Sequence, residues 1–125
     1  MVIKDLTQKS ASYRFLVKLE TDVEHICKMK STEWENSLNC GAFIFELKDS
    51  IKRFLSKDLK TSKKNEKTIV KDCLVEISKI LRLLQISYGT KVSSLTIHSM
   101  VSDMRNYIHD ARTRLGKALV LTVIG

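Results

Sequence analysis

Residues 94–119 read SLTIHSMVSDMRNYIHDARTRLGKAL. Ile97, Met100, Val101, Met104, Ile108, Ala111, Leu115, Ala118 and Leu119 recur in it at spacings of one, three and four. That pattern keeps them on one narrow stripe for about six turns of an α-helix starting near Ser93 or Ser94. Gly116 costs about 1 kcal/mol relative to alanine but does not break the stripe. A stripe this long needs other helices to cover it, so the stretch predicts an all-α fold. The apolar tail LVLTVIG at the end of the chain either finishes the helix against the core or protrudes toward a partner.

Working back from there, residues 66–88 carry a second clear stripe: Val70, Cys73, Leu74, Ile77, Leu81 and Leu84. Leu83 and Ile86 widen it until nearly the whole end is apolar, which predicts a central, largely enclosed position. Gly89 suits a C-terminal cap. Before this helix, KTSKKNEK (60–67) is polar throughout and reads as a loop, with Ser62 and Asn65 as caps for the helix beyond it. Near the start of the chain, Leu16, Leu19, Val23, Ile26 and Cys27 predict a helix over 10–29, capped by Ser10 or Thr7.

The segment between is less regular. Thr32-Glu33-Trp34-Glu35 matches a capping box and predicts a helix start. Beyond it, Trp34, Leu38, Gly41 and Phe45 share one face, while Ile44, Leu47, Ile51, Phe54 and Leu55 share another about a third of a turn or more away. A straight helix cannot bury both against one neighbour, so a kink or a split is expected near Gly41. The whole reads as one domain, 1–125: a compact bundle of four or five helices with the second kinked or split.

Composition agrees. The chain has 125 residues, 43% apolar and 29% charged, the balance of an ordinary globular domain. Proline is absent and glycines number four, too little punctuation for many hairpins. The first residues lack the apolar run of a signal peptide, and no stretch approaches a membrane span. Cys27, Cys40 and Cys73 are an odd count, widely spaced in apolar surroundings. They are expected to be reduced core residues in a reducing compartment, cytoplasmic or nuclear.

The charge is uneven. The chain carries a net +8, and residues 48–71 hold nine Lys or Arg against three acids, a local excess of +6. A localised basic stretch suits nucleic acid, an anionic membrane or an acidic protein surface, or else is simply a solvated lysine-rich loop. Lys52, Arg53, Lys57, Lys60, Lys63, Lys64 and Lys67 are the candidate anion-binding residues of this segment. A second candidate lies on the last helix. His98, Arg105, His109 and Arg112 fall within about 60° of each other on one flank of the stripe, with Asp103 and Asp110 on the other flank. Arginine offers a fork of donors to phosphate and histidine adds charge as pH falls. The alternative is that such flank residues pair with acids of a neighbouring helix.

Within that helix, Arg105-Asn106-Tyr107-Ile108-His109 resembles the Arg-Asn-…-His element of HEPN-type ribonucleases, which are also small helical bundles. The resemblance covers five residues, and the gap between arginine and histidine is shorter here than the family's. It implies metal-independent RNA cleavage at a dimer groove, with Arg105 and His109 in the active roles.

Other chemistry finds little support. The cysteines lack zinc-site spacing, and His25, His98 and His109 are scattered. Asp22 and His25 form one acid-x-x-His where a di-iron bundle needs two. There is no glycine-rich phosphate loop, and no histidine is placed near a cysteine nucleophile by any local pattern. No cofactor or metal is expected. Trp34 and Tyr107 either stack on bases or sit in the core, and the core suits them better. Two functions are consistent with these residues. One is a non-enzymatic basic module binding nucleic acid or another polyanion. The other is an interaction or assembly subunit forming a homo-oligomer or larger complex through its unmatched apolar surface.

Overall fold

The computed structural model of the chain describes residues 10–29, 37–61, 63–88 and 94–124. Four helices pack into a bundle: α1 (Ala11–Cys27), α2 (Ser37–Arg53), α3 (Lys64–Tyr88) and α4 (Ser94–Ile124). Among the described residues there is no strand. The capping box at Thr32, Trp34, and the caps at Ser62 and Gly89 lie outside the described residues.

Contacts between distant residues fix the directions of the helices. At one end of the bundle Ser10, which caps α1 by accepting from Tyr13 N, also donates to Glu66 in the first turn of α3. Gly116, late in α4, lies against the Tyr13 ring at the same end. At the far end His98, early in α4, bonds to the Cys27 carbonyl at the close of α1. Lys48 of α2 donates to Gln85, late in α3. Successive helices therefore alternate in direction, the up-and-down order that short connections favour.

The stripes read from the sequence meet in one buried cluster. Leu16, Leu19 and Val23 of α1, Val70, Ile77 and Leu81 of α3, and Val101, Met104, Ile108 and Leu115 of α4 are sealed from solvent. The helix α4 packs extensively on both α1 and α3, whereas α2 rests mainly on α3. Between α1 and α2 an open cleft of about 760 Å³ remains.

That loose seating explains how α2 resolves its two stripes. The helix continues from Ser37 to Arg53 without a split at Gly41. Phe43, Ile44, Leu47 and Ile51 are buried, and Phe45 of the other stripe is left 72% exposed. Leaving Phe45 in solvent keeps the backbone hydrogen bonds of the helix, each worth about 1 kcal/mol net. Regularity gives way later, where Phe54–Asp58 forms a π-helical turn and Leu59–Thr61 a 3-10 turn. The loop expected over 60–67 is correspondingly shorter, since α3 already begins at Lys64.

Two further expectations change. Leu83 is 51% exposed, so the wide apolar end of α3 is not fully enclosed. Three packed neighbours leave α3 one open side, and Leu83 falls on it. Tyr107 is 45% exposed and is not core. The backbone of α4 continues in helix through the apolar tail to Ile124. No helix of the described residues is long and apolar enough to cross a membrane.

Candidate polyanion-binding surface

The +6 segment folds as an elbow joining α2 to α3. Its inner side is fastened by apolar anchors. The Phe54 ring stacks on Phe15 of α1, with centroids 4.1 Å apart and planes within 3°. Leu59 is buried one turn on. In the π turn the Leu59 amide donates to the Phe54 carbonyl, five residues back, inserting one residue into the helical register. This advance lets both Phe54 and Leu59 point inward while Lys57 and Lys60 stay in solvent.

The entry to α3 is fastened by a carboxylate. Glu66, only 7% exposed, accepts from the Lys63 amide at 3.1 Å through one oxygen and from Ser10 Oγ at 2.9 Å through the other. The Glu66 amide is in turn within 3.0 Å of Asn65 Oδ1. A carboxylate in the first turn satisfies a free amide and favours the positive end of the helix dipole. It also removes one acid from the surface.

The surface is left with an excess of positive charge. Lys52, Lys57, Lys60, Lys63 and Lys64 are exposed and Lys67 is half-buried. Among the described residues none of the six makes an ion pair with a carboxylate. Arg53 is the exception in this segment, held by Asp49 at 3.0 Å one helical turn away.

The ridge on α4 comes together differently. Its four members share the flank that faces α1, as the spacing predicts, but α1 has claimed three of them. His109 Nδ1 lies 2.7 Å from Glu20 Oε1, and Arg112 Nε donates to Glu20 Oε2. Arg112 also reaches the Tyr13 hydroxyl at 3.5 Å. Burial raises the Glu20 pKa, but the hydrogen bonds and charges of Arg112 and His109 more than offset this and leave the carboxyl below its ordinary range. The hydrogen bond to Glu20, with that to Tyr13 after it, holds the Arg112 guanidinium above its ordinary value. His98 Nε2 donates to the Cys27 carbonyl at 2.9 Å, near the opposite end of the bundle. From His98 to Arg112 the helix rises about 21 Å. Arg105, half-buried beside the Cys27 thiol, makes no ion pair among the described residues, and His98 is held by its carbonyl contact alone. The ridge therefore fastens α4 to α1, the alternative that flank residues admitted. His109, half of the ribonuclease resemblance, is part of that fastening.

Among the described residues nothing else assembles into a reactive centre. Burial, with a smaller contribution from Asp110, pushes the Cys73 thiol up to about 12, and Cys27 is raised chiefly by burial. Both are free thiols; a neutral buried thiol is a poor nucleophile. No three His, Cys, Asp or Glu side chains of the described residues gather as a metal site. Compared with protein-family models, curated proteins and solved structures, the chain has no match in any of the three.

The basic segment counts Lys48 without assigning it to a site, and no sequence pattern points to Arg82. Lys48 and Arg82 join Lys52 around a cleft between α2 and α3. Spacing within either helix cannot announce this, because the juxtaposition exists only once α2 lies antiparallel on α3.

Proposed function

We propose that the protein is a non-enzymatic module that binds the phosphate backbone of nucleic acid through the lysine elbow between α2 and α3. The observation that carries this reading is the set Lys52, Lys57, Lys60, Lys63, Lys64 and Lys67, concentrated on one anchored elbow without a carboxylate partner among the described residues. Lysine acts on phosphate as a point charge, and such contacts release counterions from the nucleic acid. Among its described residues the elbow offers no exposed aromatic ring, and its arginine, Arg53, is engaged by Asp49, so recognition is expected to be of backbone and not of sequence.

The test is a gel retardation titration with single- and double-stranded oligonucleotides at about 50 and about 200 mM salt. Six phosphate contacts predict a fall in affinity of about a thousandfold between the two. Replacing Lys60, Lys63, Lys64 and Lys67 together by glutamate abolishes the shift while leaving the circular dichroism spectrum unchanged. Absence of binding by the natural protein at the lower salt refutes the reading.

A further inference from the structure

We propose that the groove between α2 and α3 docks an acidic amphipathic helix of a partner protein. Two clefts adjoin along this groove. In one, of about 240 Å³, Ile51, Leu55 and Leu81 are lined up with Lys48, Lys52 and Arg82. In the other, of about 290 Å³, Gly41, Ile44 and Phe45 meet Lys48 and Gln85. Lys48 belongs to both. Among the described residues no carboxylate lines either cleft, and Lys48 donates to the neutral Gln85 amide.

The chemistry of the groove is thus apolar below and cationic at the edge. Ile44, Ile51 and Leu81 are recessed in the core, while Phe45 and Leu55 stand in solvent. Each exposed apolar side chain that becomes covered gains roughly 25 cal/mol per Å². Lys48, Lys52 and Arg82 make no ion pair among the described residues and select a partner that brings carboxylates. From Gly41 to Leu55 the groove runs about 21 Å, the length of some four helical turns. Gly41, lacking a side chain, leaves one end shallow enough for close approach of a backbone. A helix with apolar residues at i, i+3, i+4 and i+7 and glutamates on both flanks meets every one of these features.

Other occupants fit less well. A nucleic acid satisfies the cations but leaves Phe45 and Leu55 wet. A membrane surface prefers apolar groups that protrude, and here most are recessed. A second copy of this chain brings another net +8, which repels. Of the six lysines assigned to nucleic acid the groove holds only Lys52, so the two sites separate by mutation.

The experiment uses the full chain and a fluorescent designed peptide of about five turns, with a leucine stripe flanked by glutamates. Anisotropy is expected to show saturable binding, with amide shifts at Gly41, Ile44, Phe45 and Gln85. Phe45→Ser and Arg82→Glu, both at exposed positions, each weaken binding about tenfold, and Lys63→Glu with Lys64→Glu leaves it unchanged. Three outcomes overturn the proposal. The first is equal binding of a peptide whose glutamates are replaced by lysines, or indifference to Phe45→Ser and Arg82→Glu. The second is no peptide binding, with phosphatidylserine vesicles bound instead and lost in the same variants. The third is a concentration-dependent rise in mass that those variants abolish, which assigns the groove to a second copy.

Discussion

Ser10 Oγ donates to Glu66 Oε1 at 2.9 Å across 56 residues of sequence. One hydroxyl thereby caps α1, by accepting from Tyr13 N, and tethers the first turn of α3. The two helix starts and the lysine elbow are secured at the same point. Replacing Glu66 by alanine removes the acceptor of both Ser10 and the Lys63 amide. The expected loss is about 1–3 kcal/mol in urea unfolding, from the cap and the stranded buried partners. An unchanged midpoint would show that solvent replaces those bonds without cost.

Glu20 makes stability depend on acid. Its carboxyl lies below the ordinary value of 4.5 in the folded chain, so the folded state holds its proton less tightly than the unfolded state does. The stabilisation is therefore complete above about pH 4.5 and is lost as pH falls through the lower folded value. Urea midpoints measured against pH should show Glu20→Gln less stable than the natural protein at neutral pH. The gap should close in acid. A constant gap down to about pH 2 would mean the pairing with Arg112 and His109 contributes nothing through charge.

Gly116 sits inside α4 with ordinary backbone geometry, and a Cβ placed there meets Tyr13 Cε2 at 3.6 Å, a normal contact. Gly116→Ala therefore gains helix propensity without a clash. It is expected to raise stability by up to about 1 kcal/mol. Thermal unfolding should shift upward by a few degrees (about 2–6 °C); a lower midpoint would mean the Tyr13 ring cannot give way.

Cys73 is buried and its thiol is pushed up to about 12, so almost no thiolate exists near neutral pH. A brief pulse of an alkylating reagent, read by peptide mass mapping, should leave Cys73 unlabelled in the folded protein and label it fully in denaturant. Rapid native labelling would reveal local opening of α3 from α4, where the Cys73 Sγ meets the Tyr107 carbonyl at 3.7 Å.

The stripe from Val101 to Leu115 is legible in the sequence because burial in a helix imposes its period directly on the residue order. So are the Ser10 cap and the run of lysines, since both are local. The stripe conflict in α2 is visible too, but its outcome is not. Whether Phe45 is buried by a bend or abandoned to solvent depends on how much of α2 its neighbours can reach.

The amino-acid order by itself determined that the chain is helical, where its apolar faces run and where positive charge is concentrated. These properties arise from forces acting within a few residues. Tertiary structure alone decided which charges stay available. Glu20, far away in sequence, occupies His109 and Arg112, and Glu66 turns inward to Ser10, while Arg82 is brought to Lys48 and Lys52 by the packing of α2 on α3. An ion pair needs its partner within about 4 Å, and a distance of that kind between separate helices exists only after they have packed.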